Sequence, residues 1–281
     1  MPIAPSLIGG SLTGYLFLKE TQERQQATFE TSPDIERDVE SLREKLSQPF
    51  TLDDLMGDRQ LLRPVLQSFG LEGELDKGAF VRRIIEDGPD DPQGFARRLN
   101  NDDFIALADA FKADSEGNIR LSHGQIEDMI ENYQDRAFQI AVGEQEQDLR
   151  LALNFEKEIS DLAADSSTDR AFWFKVIGNT PLMEVFSTAL ILPDGLSNLD
   201  IEKQADYLQD RASRLIGDDP RAILATKEGA EATVRRFITQ RQVEAGPGAL
   251  TPGASAITLL NAAAGGFGAQ SLSSLVLSNA V

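Results

Sequence analysis

The chain contains no cysteine and a single histidine, His123, in 281 residues. Without cysteine there is no disulfide, thiolate metal site, iron–sulfur cluster or thiol nucleophile. One imidazole is too few for a histidine-based metal centre, and a lone histidine at a helix start reads as a surface or cap residue. Runs of Lys and Arg are also missing. The 27 Lys and Arg face 46 Asp and Glu, a formal charge of −19. Such a surface repels nucleic-acid phosphate and anionic lipid heads, so neither is an expected partner. There is no Walker loop, and no glycine fingerprint follows a predicted strand. Gly10-Ser11-Leu12-Thr13-Gly14 does not form the Gly-x-Ser-x-Gly elbow of a serine hydrolase. No charge occurs between Ile3 and Leu18, but Pro5, Gly9, Gly10 and Gly14 break that stretch and no basic region precedes it. Neither a membrane span nor a Sec signal is expected, and the protein is expected to be made in the cytoplasm. Sustained apolar–polar alternation, the mark of a half-buried strand, is absent as well.

What remains is a chain that is 41% hydrophobic and 26% charged, enough for a sizeable core. Its apolar residues recur every three to four positions. Pro33 and Asp34 suit a first helical turn and precede the stripe Ile35, Val39, Leu42 and Leu46. Thr51 with Asp53 and Asp54 opens a short helix. Leu61, Leu62, Val65, Leu66 and Phe69 follow, with Gly70 as a stop; Pro64 inside this segment implies a kink, or a helix that begins near Arg63. Ser122 and Gln125 form a capping box. After them the stripe runs on to Leu162, which predicts one long helix, or two in line, from Ser122 to Ala164; Glu144 and Asp148 interrupt its middle. Thr168 or Asp169 caps a segment carrying Phe172, Trp173, Val176 and Ile177, and Trp173 reads as core rather than as a ligand platform.

Two segments align without gaps: Leu61 to Leu71 on Leu182 to Leu192, each followed by Leu-Asp, at Leu75-Asp76 and Leu199-Asp200. Either an internal duplication or the ordinary likeness of two amphipathic helices explains this. The expected fold is all-α: two similar helical-bundle halves joined by a long helix, with flexible apolar termini. Residues 1–32 form an apolar N-terminal segment and a first helix, 33–121 a first helical repeat, 122–165 the long connecting helix, 166–244 a second repeat and 245–281 an uncharged tail. That tail carries Ile257, Leu259, Leu260, Phe267, Leu275 and Leu277, an association liability if exposed. It is interrupted too often by Gly, Ser, Asn and Gln to span a membrane. Two readings stand: an end that is mobile or folded back on the core, or a segment that orders against a partner.

Two features offer calcium or carboxylate chemistry. Asp114, Glu116, Gly117, Asn118 and Ile119 follow a helix as in a calcium loop. With Gly117 at the required glycine, however, Lys112 stands first and His123 twelfth, where acidic ligands belong. Acidic pairs at Asp53-Asp54, Glu86-Asp87, Asp90-Asp91, Asp102-Asp103 and Asp218-Asp219 could do acid–base or metal chemistry, but their places beside Pro, Gly and helix starts suit caps and solvated turns. No catalytic residue, metal or cofactor is expected.

A wider pattern resembles the bacterial domain-of-unknown-function family 1217. It is carried by Gly14-Tyr15-Leu16-Phe17-Leu18, Ser32-Pro33 with Asp38, Asp58-Arg59-Gln60-Leu61-Leu62, Phe69-Gly70-Leu71-Glu72 and Phe80 through Gly88. Phe95-Ala96-Arg97-Arg98-Leu99, Ala141 through Gln145, and Trp173-Phe174 with Ile177 through Leu182 complete it, over residues 12 to 242. Members of that family often sit in alphaproteobacterial flagellar gene clusters. The resemblance therefore implies a helical, non-enzymatic protein of flagellar structure or assembly, flagellum-associated and with protein partners. Pro64 departs from the helix-friendly residue expected there. Leu16 and Phe17, with the six apolar tail residues, are the contact candidates, for flagellar partners or for self-association. The alternatives are a cytosolic adaptor or chaperone for an apolar segment and, more remotely, a hydrolase using an acidic pair.

Overall fold

A computed structural model describes residues 3–91, 93–99 and 101–246. Fourteen α-helices run through the described residues, with one ladder of two very short strands, so the fold is all-α. Helix α1 (Leu12–Glu30) starts at Ser11, whose Oγ accepts from the Gly14 N–H. Helix α2 (Pro33–Leu46) begins at Pro33 and buries its whole predicted stripe, Ile35, Val39, Leu42 and Leu46. Strand β1 (Phe50–Thr51) leads into α3 (Leu52–Gly57) through a capping box of Thr51 and Asp54. Helix α4 (Arg59–Ser68) is capped by Asp58, which accepts from the Gln60 and Leu61 N–H groups. It passes through Pro64 and does not begin beyond it. The ring leaves only the Gln60 carbonyl without its helical donor, and Pro64 is itself buried.

Helices α5 (Gly78–Asp87), α6 (Phe95–Arg98) and α7 (Asp102–Ala110) pack on one another as a small lobe. Phe80 is its pivot, edge-on to Phe95 and to Phe104 at 5.4 Å each. Strand β2 (Asn118–Ile119) then pairs antiparallel with β1, Phe50 opposite Ile119. Two-residue strands are too short to leave an alternating pattern.

The long connecting helix expected over 122–165 is not one helix, nor two in line. Helix α8 (His123–Gly143) ends, the chain reverses, and α9 (Gln147–Asp165) packs back along it. The pairs Lys157–Asp135 and Arg136–Glu158 set the antiparallel register. Gly143 permits the reversal, because a Cβ there would stand 2.5 Å from Arg150 Cδ. This hairpin is the centre of the molecule. Helices α2 and α4 pack on α8. On α9 pack α11 (Thr180–Ala189), α13 (Pro220–Leu224) and α14 (Lys227–Ala245). Helices α10 (Asp169–Gly178) and α12 (Ile201–Leu215) pair with each other beside them. Both flanks contribute to one continuous buried cluster.

The two aligned segments end alike. After α4, Leu71 N–H donates to Leu66 O at 2.8 Å and Gly70 N–H to Gln67 O at 3.0 Å. After α11, Leu192 N–H donates to Ser187 O at 2.9 Å and Ile191 N–H to Thr188 O at 3.1 Å, position for position the same cap. A 3-10 turn follows each, Glu72–Glu74 and Asp194–Asn198. The correspondence is local: α5, after the first turn, has 10 residues, and α12, after the second, has 15. Where the first cap has Gly70, φ +72°, the second holds Ile191 at φ +53°. A β-branched residue is strained in this left-handed region. Ile191 is also exposed, so little burial offsets the strain. Ile191→Gly is expected to stabilise the protein by about 1 kcal/mol, read as a raised urea midpoint; a lowered midpoint would mean that Ile191 is held by packing.

Candidate functional site

The two ends of the described chain meet at the α8–α9 turn. The segment before α1 folds back along that helix. Ile3 N–H donates to Ser32 Oγ at 3.0 Å, and Ser6 exchanges backbone bonds with the Gln25 amide at 2.7 and 3.1 Å. Gln145, in the turn, donates from Nε2 to Pro5 O at 2.8 Å. Gly14 makes the fold-back possible, since any Cβ there would fall 1.8 Å from Gly9 O. From the other end, Arg241 of α14 reaches Asp148 at 3.2 Å and Glu184 at 2.6 Å, with its guanidinium over the Phe237 ring. Apolar side chains are left outside the core around these ends: Ile8 is 54% exposed, Leu16 42% and Val243 68%. Phe17 is half-buried, while its neighbours Tyr15 and Leu18 are fully buried. Of the predicted contact residues, Leu16 and Phe17 therefore sit together on α1. Ile257, Leu259, Leu260, Phe267, Leu275 and Leu277 lie outside the described residues.

Most of the polar residues that could carry chemistry have structural partners. Ser11 and Ser122 cap helices, and His123 opens α8 on the surface. The calcium-like loop has a glycine at φ +83° and a short strand. Its first-position residue, Lys112, pairs with Asp90, and Asp114 accepts from the Glu116 and Asn118 N–H groups at 2.9 Å each. Each acidic pair has at least one carboxylate engaged: Asp53 with Arg82, Asp87 with the Phe95 N–H, Asp102 with Lys175, and Asp219 as the cap of α13. Among the described residues no three His, Cys, Asp or Glu side chains are grouped to hold a metal. Trp173 is 1% exposed and belongs to the core.

Two tyrosines fasten outer helices to the hairpin. Tyr15 donates to Glu156 of α9, and Tyr133 of α8 donates to Asp38 of α2. Burial, reinforced by the neighbouring carboxylates, pushes both phenols well up, so both remain donors. A denser polar knot joins the two flanks. Arg136 reaches Glu158 at 2.6 Å and the buried Asn154; Asn179, between α10 and α11, donates to Glu158 at 3.2 Å. Arg150 reaches Glu72, after α4, at 2.9 Å. Asp103, in the first turn of α7, faces this knot. Burial, then the charge of Glu158, raises its carboxyl to about 6 against the pull of Arg136. Sequence periodicity singles out none of these groups beyond the pair Asp102-Asp103, because the α8–α9 register that gathers them is long-range.

No helix among the described residues is long and apolar enough to cross a membrane. A crystal structure of the protein AGR_C_984 from Agrobacterium tumefaciens is similar in fold, with a TM-score of 0.64 and 22% sequence identity over 85% of this chain and 96% of that one. No curated protein matches. The model of the family described as "Protein of unknown function (DUF1217)" matches residues 68–223, from the end of α4 into α13.

Proposed function

We propose that this chain, which belongs to the DUF1217 family, is a non-enzymatic structural or assembly protein of the bacterial flagellar system, acting through contacts made where its two ends meet. The observation that carries the contact reading is that the two chain ends, which bear exposed Ile8, Leu16 and Val243, are tied to one turn. The uncharged stretch 247–281 continues from the same end of α14. Apolar groups of this kind, outside the core of a protein with a formal charge of −19, suit association more than solubility. The flagellar link rests on the resemblance to a family whose genes cluster with flagellar ones.

The contact reading is tested by a double change, Leu16→Glu with removal of residues 247–281. Sedimentation of the purified protein and co-purification with flagellar structures from the native host are the readouts. Association is expected to be lost while the helical circular dichroism stays at the level given by residues 3–246. Unchanged association would place the contacts elsewhere.

A further inference from the structure

Helix α7 is tied to the body of the molecule in different ways at its two ends. Along its length it packs chiefly on α5 and α6. Just past its last turn, Phe111 is fully buried and stands edge-on to Phe50 and to Phe69 at 6.2 Å each, which makes an apolar anchor. The first turn carries Asp102 and Asp103 instead. Asp102 pairs with Lys175 of α10 at 3.4 Å. Asp103 faces the polar knot of the hairpin and feels the charges of Glu158 on α9, Arg136 on α8, Glu72 after α4 and its neighbour Asp102.

The charges in this seam do not balance. Arg136 takes Glu158 at 2.6 Å, Arg150 takes Glu72 at 2.9 Å and Lys175 takes Asp102. Three cations are thereby matched by three carboxylates, and Asp103 is the fourth. Its carboxyl is half-buried and has no hydrogen bond or ion pair among the described residues. Glu72 Oε2 is buried without a hydrogen-bond partner as well, so acceptors outnumber donors in the seam. A neutral carboxyl brings a donor to such a place. An ionised one brings a further negative charge, partly withdrawn from water. Burial and then the charge of Glu158 favour the neutral form, and the group titrates at about 6.

We propose that the first turn of α7 is a pH-operated latch on the central hairpin, closed while the Asp103 carboxyl is neutral and released about the Phe111 anchor when it ionises. Acid docks the α5–α7 lobe and near-neutral conditions loosen it. The sign follows from linkage. Once released, Asp103 returns toward the ordinary value of 3.8, so release gives up a proton. It becomes easier as the pH rises from about 4 to 6, with no further gain above that. The latch does not depend on the flagellar reading.

Hydrogen exchange of the full-length chain, followed by mass spectrometry and corrected for the intrinsic effect of pH on amide exchange, tests it. Between about pH 5 and pH 7.5, protection of the α7 amides from Phe104 to Ala108 is expected to fall about tenfold, while α11 and α14 keep theirs. Asp103→Asn is expected to abolish the fall. Glu158→Gln, which frees Arg136 to pair with Asp103, is expected to reduce it and provides the test should the first variant misfold. No fall in the parent chain, a fall of the same size in the variants, or an equal fall in α14 would overturn the assignment.

Discussion

Trp173→Ala will lower the stability of the protein by about 4 kcal/mol, the largest loss expected from any single truncation in the chain. The indole is 1% exposed. Its ring stands edge-on to Phe172 at 4.7 Å and to Phe186 at 5.3 Å, and Phe186 in turn meets Phe155 of the central hairpin at 5.1 Å. Its N–H donates to Gln209, which ties α10 to α12. Truncation therefore removes a large apolar body, two ring contacts and one hydrogen bond, and it leaves the Gln209 carbonyl without that donor. A loss of this size is a large share of the 5–15 kcal/mol typical of a folded domain. With a slope of about 2–3 kcal/mol/M, the urea midpoint should fall by about 1.3–2 M. A midpoint that barely moves would mean that the ring is not part of the core, and would reopen its reading as a ligand platform.

Asp103→Asn will stabilise the protein at pH 7.5 by roughly 1–2 kcal/mol, with the gain vanishing on acidification. The folded protein raises this carboxyl from 3.8 to about 6, first by burial and then by the charge of Glu158. The sign follows from linkage. A carboxyl whose folded value is raised holds its proton more tightly when folded. Its ionisation destabilises the fold in full above about pH 6, progressively less between 6 and 4, and not at all below the unfolded value. The full shift corresponds to about 3 kcal/mol at 1.36 kcal/mol per pH unit. Partial exposure and the place of Asp103 in the first turn of α7 reduce it. Several carboxylates at the surface, Asp90 exposed and Asp58 and Glu127 half-buried, act in the opposite sense. Asp58 beside Lys45, Asp90 beside Lys112 and Glu127 beside Arg43 are lowered by these partners, so their contribution is lost on acidification. The difference between variant and parent at each pH, from chemical denaturation at pH 4 to 7.5, isolates Asp103. A variant no more stable than the parent at pH 7.5 would show that the carboxylate is well satisfied.

Helix positions were readable because their determinants are local. Ile35, Val39, Leu42 and Leu46 fall on one face by spacing alone. The Ser122–Gln125 box forms between neighbours, and both appear in the fold as the residues dictate. Pro64 was harder, since its effect depends on what the Gln60 carbonyl can do without its donor. The reversal at Gly143 was not readable. Its stripe continues on both sides in helical register, and the close approach of Arg150 that requires a glycine there comes from a helix whose direction is set by distant pairs such as Lys157 with Asp135. The candidate site follows the same division. Exposure of Leu16 beside buried Tyr15 and Leu18 is a property of one helix face. The meeting of Pro5, Gln145 and Arg241 at a single turn exists only once that hairpin has closed. The polar knot around Arg136 is likewise a product of helix packing, with no spacing in the chain to announce it.

Fractionation of the native host is the most direct test of the proposed role. Intact flagellar basal structures would be isolated, and this protein measured in them and in the soluble pool. Enrichment with the basal structures, lost on Leu16→Glu with removal of residues 247–281, is the predicted result. A protein found wholly in the soluble pool would favour an adaptor that leaves the assembled structure, and a soluble protein whose deletion leaves motility intact would contradict the flagellar role altogether.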